Sequence, residues 1–293
     1  MFFERYYSKK DGVIRGFDMS SRKIRNLCVA ITIVCVLIAV VCLFPIVWVF
    51  LASFKDIKEF MRNPTIFPSG FHLDLLKESW NKLHFTEYYM NSLISVLGSV
   101  LSAIFFNALL GYVFAVIRPR GWKFAFGIVM GTMMIPATTN MISLYRNINL
   151  IHLNGTFIPL WLSAGAKAFD VILFKQYFEG LSKELFEAAS LDGCSYMGIF
   201  TKVVIPLSKP VVAVVAIFAM TGAWSDFLLP YLTLNGTEYE TVMVKLFSLA
   251  NAAGVQAVEV IRASMFAIIP PTILFLIFQK QITDGAAVGA VKG

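Results

Sequence analysis

Long apolar runs alternate with short polar segments along most of the chain. The first run, Leu27 to Phe54, holds 28 residues without a charged side chain. That length crosses a hydrocarbon core of ~30 Å with some tilt. Five later runs are also predominantly apolar: Tyr89 to Ile117, Phe124 to Leu144, Thr156 to Phe178, Val211 to Leu232 and Ala263 to Phe278. The pattern predicts an all-α, polytopic membrane protein with six transmembrane helices.

The composition supports this prediction and excludes an ordinary soluble domain. Hydrophobic residues make up 58% of the 293 residues, charged residues 15%, and the mean hydropathy is +0.72. Soluble domains are about half apolar and about a quarter charged. We expect one membrane domain at residues 27–280, which includes an outer loop at 55–88, and terminal tails at 1–26 and 281–293.

The distribution of lysine and arginine predicts the orientation. With six alternating spans, 16 of the 25 basic residues fall on the side of both termini and eight on the other. Because cytoplasmic loops are enriched in these residues, both termini and the polar segment 179–209 are predicted to be cytoplasmic. The net charge of +7 then reflects topology, and we expect no nucleic-acid partner.

Cysteine and histidine indicate neither a disulfide framework nor a metal site. Cys28, Cys35 and Cys42 are spaced seven apart on one predicted helix, where neighbours are separated by roughly 10 Å of rise and cannot bridge. The chain has three histidines, and they show no spacing typical of metal ligands.

The polar segment 179–209 predicts two short helices. Ser182 is a candidate N-cap, and Leu181, Leu185, Ala188 and Leu191 recur at helical spacing. Asp192-Gly193 breaks the first helix, Ser195 caps a second, and Pro206 and Pro210 end it.

Two interpretations of this helix pair are possible. It can lie on the lipid headgroups, or it can fit into a socket on another protein. Helices that lie on membranes favour basic and bulky apolar residues. Ala188 and Ala189 beside Glu187 instead permit close approach, which favours the protein socket.

The residues of this segment resemble a known motif. Glu187-Ala188-Ala189, then Gly193 after three residues and Val203-x-Ile205-Pro206 after nine more, are similar to the EAA loop of binding-protein-dependent ABC importer permeases. Asn91-Ser92-Leu93, Met134-Ile135-Pro136 and the ending Gly289 to Gly293 resemble the carbohydrate branch of that family, in particular the smaller permease subunit of maltose-type transporters. The chain departs from the family at Ser182, often Pro, and at Trp224-Ser225-Asp226-Phe227, often Trp-Asn-x-Phe.

The resemblance implies a cytoplasmic coupling loop for an ATPase. The implied ATPase-coupling residues are Glu184, Glu187, Ala188, Ala189, Asp192 and Gly193. Glu187 would contact a basic group, the alanines would pack closely, and Gly193 would form the elbow. The tail residues Gly289, Val291 and Lys292 are expected to reach the ATPase pair.

The resemblance also implies partners and a place in the cell. The partners are a second permease subunit, an ATPase dimer, an external solute-binding protein and a carbohydrate, within the lipid of the bacterial cytoplasmic membrane. No G-x-x-x-x-G-K-[ST] phosphate loop occurs in the sequence. We therefore expect no catalytic residues, cofactor or metal on this chain, and ATP and Mg on the partner ATPase.

Ionisable and aromatic residues within the apolar runs are candidates for a translocation path. Lys167 and Asp170 lie three apart in the fourth run, so they either line a polar path or neutralise each other against a partner helix. Trp224 and Asp226 lie near the outer end of the fifth run, where they suit sugar binding or membrane anchoring. Asn107 is interpreted as a helix–helix hydrogen-bonding residue.

Other functions remain open. Within the importer class, a polyol or glycerophosphate-type solute is the alternative to a sugar. A self-sufficient secondary transporter would have inverted repeats and helices broken at the membrane midplane, and the sequence indicates neither. A membrane-embedded enzyme would need a polar catalytic cluster at membrane depth, which three histidines predicted to lie in loops do not supply.

Overall fold

The computed structural model describes residues 22–62 and 65–290. Within these ranges all regular elements are helical, as the apolar pattern predicted. The chain forms two compact units, which divide between His72 and Leu73. This division falls inside the predicted outer loop.

The described part of the first unit is dominated by one long apolar helix. Helix α1 (Arg22–Ala52) has Pro45 inside it, and apolar side chains such as Val41 are exposed along its length. A fully apolar helix with an exposed surface suits lipid or a partner helix. Helix α2 (Ile57–Arg62) follows, and the ammonium of Lys55 donates a hydrogen bond of 3.1 Å to Thr65 Oγ1.

The described part of the second unit, residues 73–290, contains fourteen α-helices. In chain order they are α3 (Leu73–Lys82), α4 (Phe85–Ser102), α5 (Ala108–Tyr112), α6 (Trp122–Thr132), α7 (Met141–Leu150), α8 (Ile158–Gly165), α9 (Ala168–Glu179), α10 (Lys183–Leu191), α11 (Tyr196–Ile199), α12 (Ile205–Leu207), α13 (Lys209–Ser225), α14 (Leu228–Leu234), α15 (Val242–Asn251) and α16 (Ala257–Ala290). Short π-helical turns at Ala103–Asn107, Val113–Ile117 and Phe200–Val204 continue the helices that precede them, and Ala137–Asn140 forms a 3₁₀ turn.

Three helices of the described chain are long and apolar enough to cross a membrane: Ile24–Ala52, Phe85–Ile117 and Ala257–Gln279. They coincide with the first, second and sixth predicted spans. The pair Tyr196–Leu207 and Lys209–Ser225 passes the same test together but bends by 84°. The total of six spans and the orientation of the termini remain predictions.

The third, fourth and fifth predicted spans are interrupted, so the expectation of unbroken helices was wrong. Between α6 and α7 the chain leaves the helix at Met133 to Pro136, where proline disfavours a helical conformation of the preceding residue. Between α8 and α9, Lys167 is extended at φ −91° and ψ 109°. Between α13 and α14, Asp226 is extended at φ −66° and ψ 129°.

Asn107 stabilises the break between α8 and α9. Its side chain is fully buried. Its amide Nδ2 donates to the Ala164 carbonyl at 3.0 Å, and its Oδ1 accepts from the Lys167 backbone N–H at 3.2 Å. A helix break in an apolar environment is tolerated when a neighbouring helix satisfies the freed backbone groups. The interpretation of Asn107 as a helix–helix hydrogen-bonding residue is confirmed.

Close packing fixes α8 against α4. A Cβ atom added at Gly98 would lie 2.2 Å from the indole ring of Trp161, so only a glycine permits this approach. The α5, α9 and α13 helices share a buried cluster that includes Tyr112, Phe174 and Val215. We call this cluster the central core.

Candidate functional site

The first candidate site is the predicted coupling helix, α10, which is anchored on one face. Ala189 is buried in the central core, and Leu181 and Phe186 pack against the same core. Ala189 therefore contacts this chain itself, and it is not on the exposed surface together with Ala188. The prediction that both alanines face a partner was wrong for Ala189.

The opposite face of α10 is exposed. Glu184, Glu187, Ala188 and Leu191 are all accessible, and their spacing of three and four residues places them on one stripe. Leu191 is 89% exposed, which is unusual for a large apolar side chain next to carboxylates. We call these four residues the exposed stripe. It combines one small apolar side chain, one large apolar side chain and two carboxylates.

A left-handed glycine ends the first helix. Asp192 follows α10, and Gly193 has φ +80° with open space around the position of a Cβ. The backbone N–H of Cys194 then donates to the Ala189 carbonyl at 3.0 Å, which closes the helix end in the way that glycine favours. The predicted glycine elbow is present.

The second helix begins as predicted but ends differently. Ser195 caps α11, because its Oγ accepts from the Gly198 N–H at 3.2 Å. The helical path continues past Pro206 to Leu207, and Pro210 lies in the first turn of α13. Pro210 occupies a first-turn position, where a missing N–H costs little, whereas Pro206 lies one residue before the end of the path at Leu207. They do not end the helix at Pro206; the 84° bend falls at Ser208.

The second candidate site is a cavity of about 260 Å³ between α4, α8 and α13. Its polar lining consists of four hydroxyls and two charged groups, namely Ser95, Ser99, Ser163, Ser225, Lys167 and Asp226. Small residues such as Ala164, Ala219 and Gly222 line the rest. The extended residues at two of the helix breaks thus place a cation and an anion in the same cavity.

Lys167 and Asp226 act on each other across the cavity without a contact ion pair. The Lys167 charge acts electrostatically on the Asp226 carboxylate, but the ion pairs within 4 Å among the described residues do not include these two. The backbone N–H groups of Phe227, Leu228 and Leu229 also act on the Asp226 carboxylate. Because they form no ion pair with each other, Lys167 and Asp226 can both form hydrogen bonds with a molecule in the cavity.

The structure places the other predicted path residues outside the cavity lining. Asp170 is buried, and its carboxylate accepts from Asn107 Nδ2 at 3.4 Å instead of forming an ion pair with Lys167. Trp224 is 4% exposed, and its Nε1 donates to the Ala267 carbonyl at 3.0 Å. Both side chains hold helices together.

The predicted tail contacts lie at or beyond the end of the described chain. The backbone of α16 is helical through Gly289 to Ala290, while Val291 and Lys292 lie outside the described residues. Within the described residues, no group of three histidine, cysteine or carboxylate side chains is arranged to hold a metal ion.

The serines of the cavity were missed by the sequence reasoning, although a signal was present. Ser92, Ser95, Ser99 and Ser102 recur every three or four residues within an apolar run, and all four are buried. Ser92 accepts a hydrogen bond from the Val242 N–H at 2.9 Å. Ser95 Oγ, by contrast, has no hydrogen-bond partner within the part of the chain that the structure describes.

Comparisons with known proteins agree with this architecture. The family model described as "Binding-protein-dependent transport system inner membrane component" matches residues 12–284. The arabinooligosaccharides transport system permease protein AraQ of Bacillus subtilis is 32% identical over 270 residues, or 90% of this chain and 96% of that protein. The AraQ protein of Halalkalibacterium halodurans is 34% identical over 85% of this chain and 91% of its own length.

The fold is also that of a solved structure. A chain in the crystal structure of a bacterial ABC transporter involved in the import of the acidic polysaccharide alginate superposes with a TM-score of 0.77 over 89% of this chain and 98% of that chain. The identity of 22% limits this likeness to the fold. The extent of the family match, with the helical membrane architecture, shows that this chain is an integral membrane protein belonging to the family of binding-protein-dependent transport system inner membrane components.

Proposed function

We propose that this chain is a permease subunit of an ATP-driven carbohydrate importer and forms half of its translocation pathway. It works in the bacterial cytoplasmic membrane with a second permease subunit, an ATPase dimer that binds ATP and Mg, and an external solute-binding protein. Its substrate is an oligosaccharide, which is the solute class in the names of the two AraQ relatives.

The observation that carries this proposal is the two-faced geometry of α10. One face packs in the central core through Ala189, together with residues of α9 and α13. A displacement of α10 would therefore also displace these two helices. The other face, the exposed stripe, is accessible and carries Glu187 and Leu191 outward. A helix held in this way suits transmission of movement from a soluble subunit to the membrane helices.

The chemistry of the exposed stripe suits a protein socket better than a lipid surface. Glu184 and Glu187 would be repelled by anionic headgroups, whereas a basic group of the ATPase would form charge-assisted hydrogen bonds with them. Leu191 would fill an apolar pocket beside Ala188, since a large exposed apolar residue within a polar rim is typical of an interaction site. ATPase closure would then move α10 and switch the bundle between inward-facing and outward-facing states.

The helix breaks revise the case against a secondary transporter. Broken helices were expected of secondary transporters, yet the described residues contain three breaks, between α6 and α7, α8 and α9, and α13 and α14. The breaks therefore do not distinguish the two classes, and the importer assignment depends on the family match. A self-sufficient transporter would take up solute without an ATPase. Importers of polyols or glycerophosphate-type solutes would share the coupling helix and differ in the solute they carry.

The test uses the assembled complex of both permeases, the ATPase and the binding protein in proteoliposomes. Glu187→Lys should lower substrate-stimulated ATP hydrolysis and the amount of ATPase that copurifies with the permeases. The matched control is Glu78→Lys, which makes the same charge change at an exposed glutamate of α3 and should leave copurification unchanged.

Two results would contradict the proposal. If Glu187→Lys retained wild-type hydrolysis and copurification, α10 would not be the coupling element. If this chain alone catalysed uptake of labelled arabinotriose without ATP, the importer assignment itself would be wrong. Uptake of glycerophosphate but not arabinotriose would retain the coupling role and replace the substrate class.

A further inference from the structure

We infer that the cavity between α4, α8 and α13 is a binding subsite for one unit of a neutral saccharide, with the Ser95 hydroxyl, Lys167 and Asp226 as its ligands. This inference rests on the proposed function, because it names the site at which this subunit contacts the solute. It assigns a direct substrate contact to this chain, in addition to its coupling to the ATPase.

The lining has the donor and acceptor pattern that a polyol requires. Each sugar hydroxyl is both a donor and an acceptor, so it needs a mixture of both around it. Lys167 supplies donors, the Asp226 carboxylate supplies acceptors, and the serine hydroxyls supply either. Small residues at Ala219 and Gly222 leave room for a ring to approach the backbone.

Ser95 provides the most specific indication of a ligand. The residue is only 1% exposed, it lines the cavity, and its Oγ has no hydrogen-bond partner among the described residues. Buried hydroxyls without a partner are uncommon, because leaving one unsatisfied costs about 1–3 kcal/mol. Because the Ser95 Oγ has less than 1 Å² of accessible surface, a rotation of this short side chain toward the cavity would let a solute hydroxyl satisfy it.

Charge and size restrict the class of solute. The cation of Lys167 acts on two carboxylates, Asp226 in the lining and Asp170 outside it, so the cavity offers no excess positive charge with which to hold an acidic sugar. The volume of about 260 Å³ is slightly below the ~300–1,000 Å³ of sites for drug-sized ligands. One sugar ring fits such a volume, while the remainder of an oligosaccharide would have to extend beyond it.

A direct binding experiment tests the subsite apart from the coupling mechanism. The complex of permeases and ATPase, without the binding protein, is dialysed against radiolabelled arabinotriose and, separately, against an alginate trisaccharide as the acidic probe. Ser95→Ala should weaken arabinotriose binding about two- to tenfold, the range expected for one neutral hydrogen bond. Asp226→Asn keeps one side-chain oxygen for the backbone N–H groups and should weaken binding about tenfold or more.

Two further variants separate occupancy of the cavity from damage to the fold. A Cβ at Gly222 would lie 3.4 Å from the Lys167 Nζ, so Gly222→Leu would place its outer carbons in the cavity and should abolish binding. The matched control is Thr241→Val, which removes another buried hydroxyl without a partner that does not line the cavity. It should bind arabinotriose as the wild type does, and all variants should copurify with the ATPase.

Each outcome decides the inference. Loss of arabinotriose binding in Ser95→Ala and Gly222→Leu but not in Thr241→Val supports it. Unchanged binding in all variants of a complex that still imports the sugar overturns the subsite and leaves the proposed function intact. Tighter binding of the alginate trisaccharide overturns the neutral class. If the wild-type complex neither binds nor imports arabinotriose, the proposed substrate and the subsite both fail.

Discussion

Replacing Gly193 by alanine isolates the role of the elbow that ends α10. The residue has φ +80°, and no atom lies within 4 Å of the position of an added Cβ, so the substitution introduces no collision. What remains is the backbone penalty of a left-handed conformation, about 1–2 kcal/mol for a residue with a Cβ. Since 1.4 kcal/mol corresponds to a factor of ten, the population of the native elbow would fall about 5- to 30-fold relative to a relaxed alternative.

The matched control for this substitution lies in another segment. Gly254 has φ +82° and is equally open, so Gly254→Ala introduces the same backbone penalty outside α10. Thermal unfolding of the purified complex should show similar losses for both variants. Substrate-stimulated ATP hydrolysis and uptake per ATP should fall in Gly193→Ala alone. Gly193→Asn should be intermediate, because asparagine tolerates the left-handed region.

Equal effects of the two alanine substitutions would exclude a specific role of the elbow in coupling. If Gly193→Ala and Gly254→Ala lowered the coupling of hydrolysis to uptake to the same extent, the loss would reflect general destabilisation and not the direction in which α10 points. If Gly193→Ala lost stability but coupled normally, the elbow would be a folding requirement only.

Three further substitutions test the packing of the second unit. Gly98→Ala should lower the melting temperature of the complex by the equivalent of about 1–3 kcal/mol, because its Cβ would overlap the Trp161 ring. Trp224→Phe should lower stability by about 0.5–1.5 kcal/mol through loss of its bond to the Ala267 carbonyl, while uptake per ATP stays unchanged; a fall in that ratio would return Trp224 to the translocation path. Asn107→Leu should reduce the yield of assembled complex, since each buried group it leaves unpaired costs about 1–3 kcal/mol, and a wild-type yield would show that another group satisfies the helix break.

The apolar pattern predicted the long helices because length and hydrophobicity are local properties. The second and sixth predicted spans coincide with α-helical segments for this reason. The breaks at Lys167 and Asp226 could not be predicted in the same way, because they depend on partners elsewhere in the chain. The side chain that satisfies the first break, Asn107, lies on another helix.

In the coupling segment, too, some features follow from the local sequence and others depend on tertiary contacts. The helix end at Gly193 follows from the left-handed conformation that glycine favours, and the sequence contains that information. At the start of the helix, Ser182 occupies the N-cap position as predicted, but its side chain makes no capping hydrogen bond. The inward direction of Ala189 depends on which face of α10 meets the central core, a tertiary choice. Of the cavity, Lys167 and Asp226 were identifiable as ionisable residues in apolar runs. That Ser95 lines the cavity depends on the position of α13, which is a tertiary property.

The hydrogen bonds of Asn107 have a consequence for the order of assembly in the membrane. Asn107 precedes the backbone groups that it satisfies at Ala164 and Lys167 by 57 and 60 residues. During synthesis, Asn107 is therefore made before the segment of residues 164–167 emerges from the ribosome. An unsatisfied break would be costly in lipid, so the earlier helix acts as the template on which the later, broken one can be inserted.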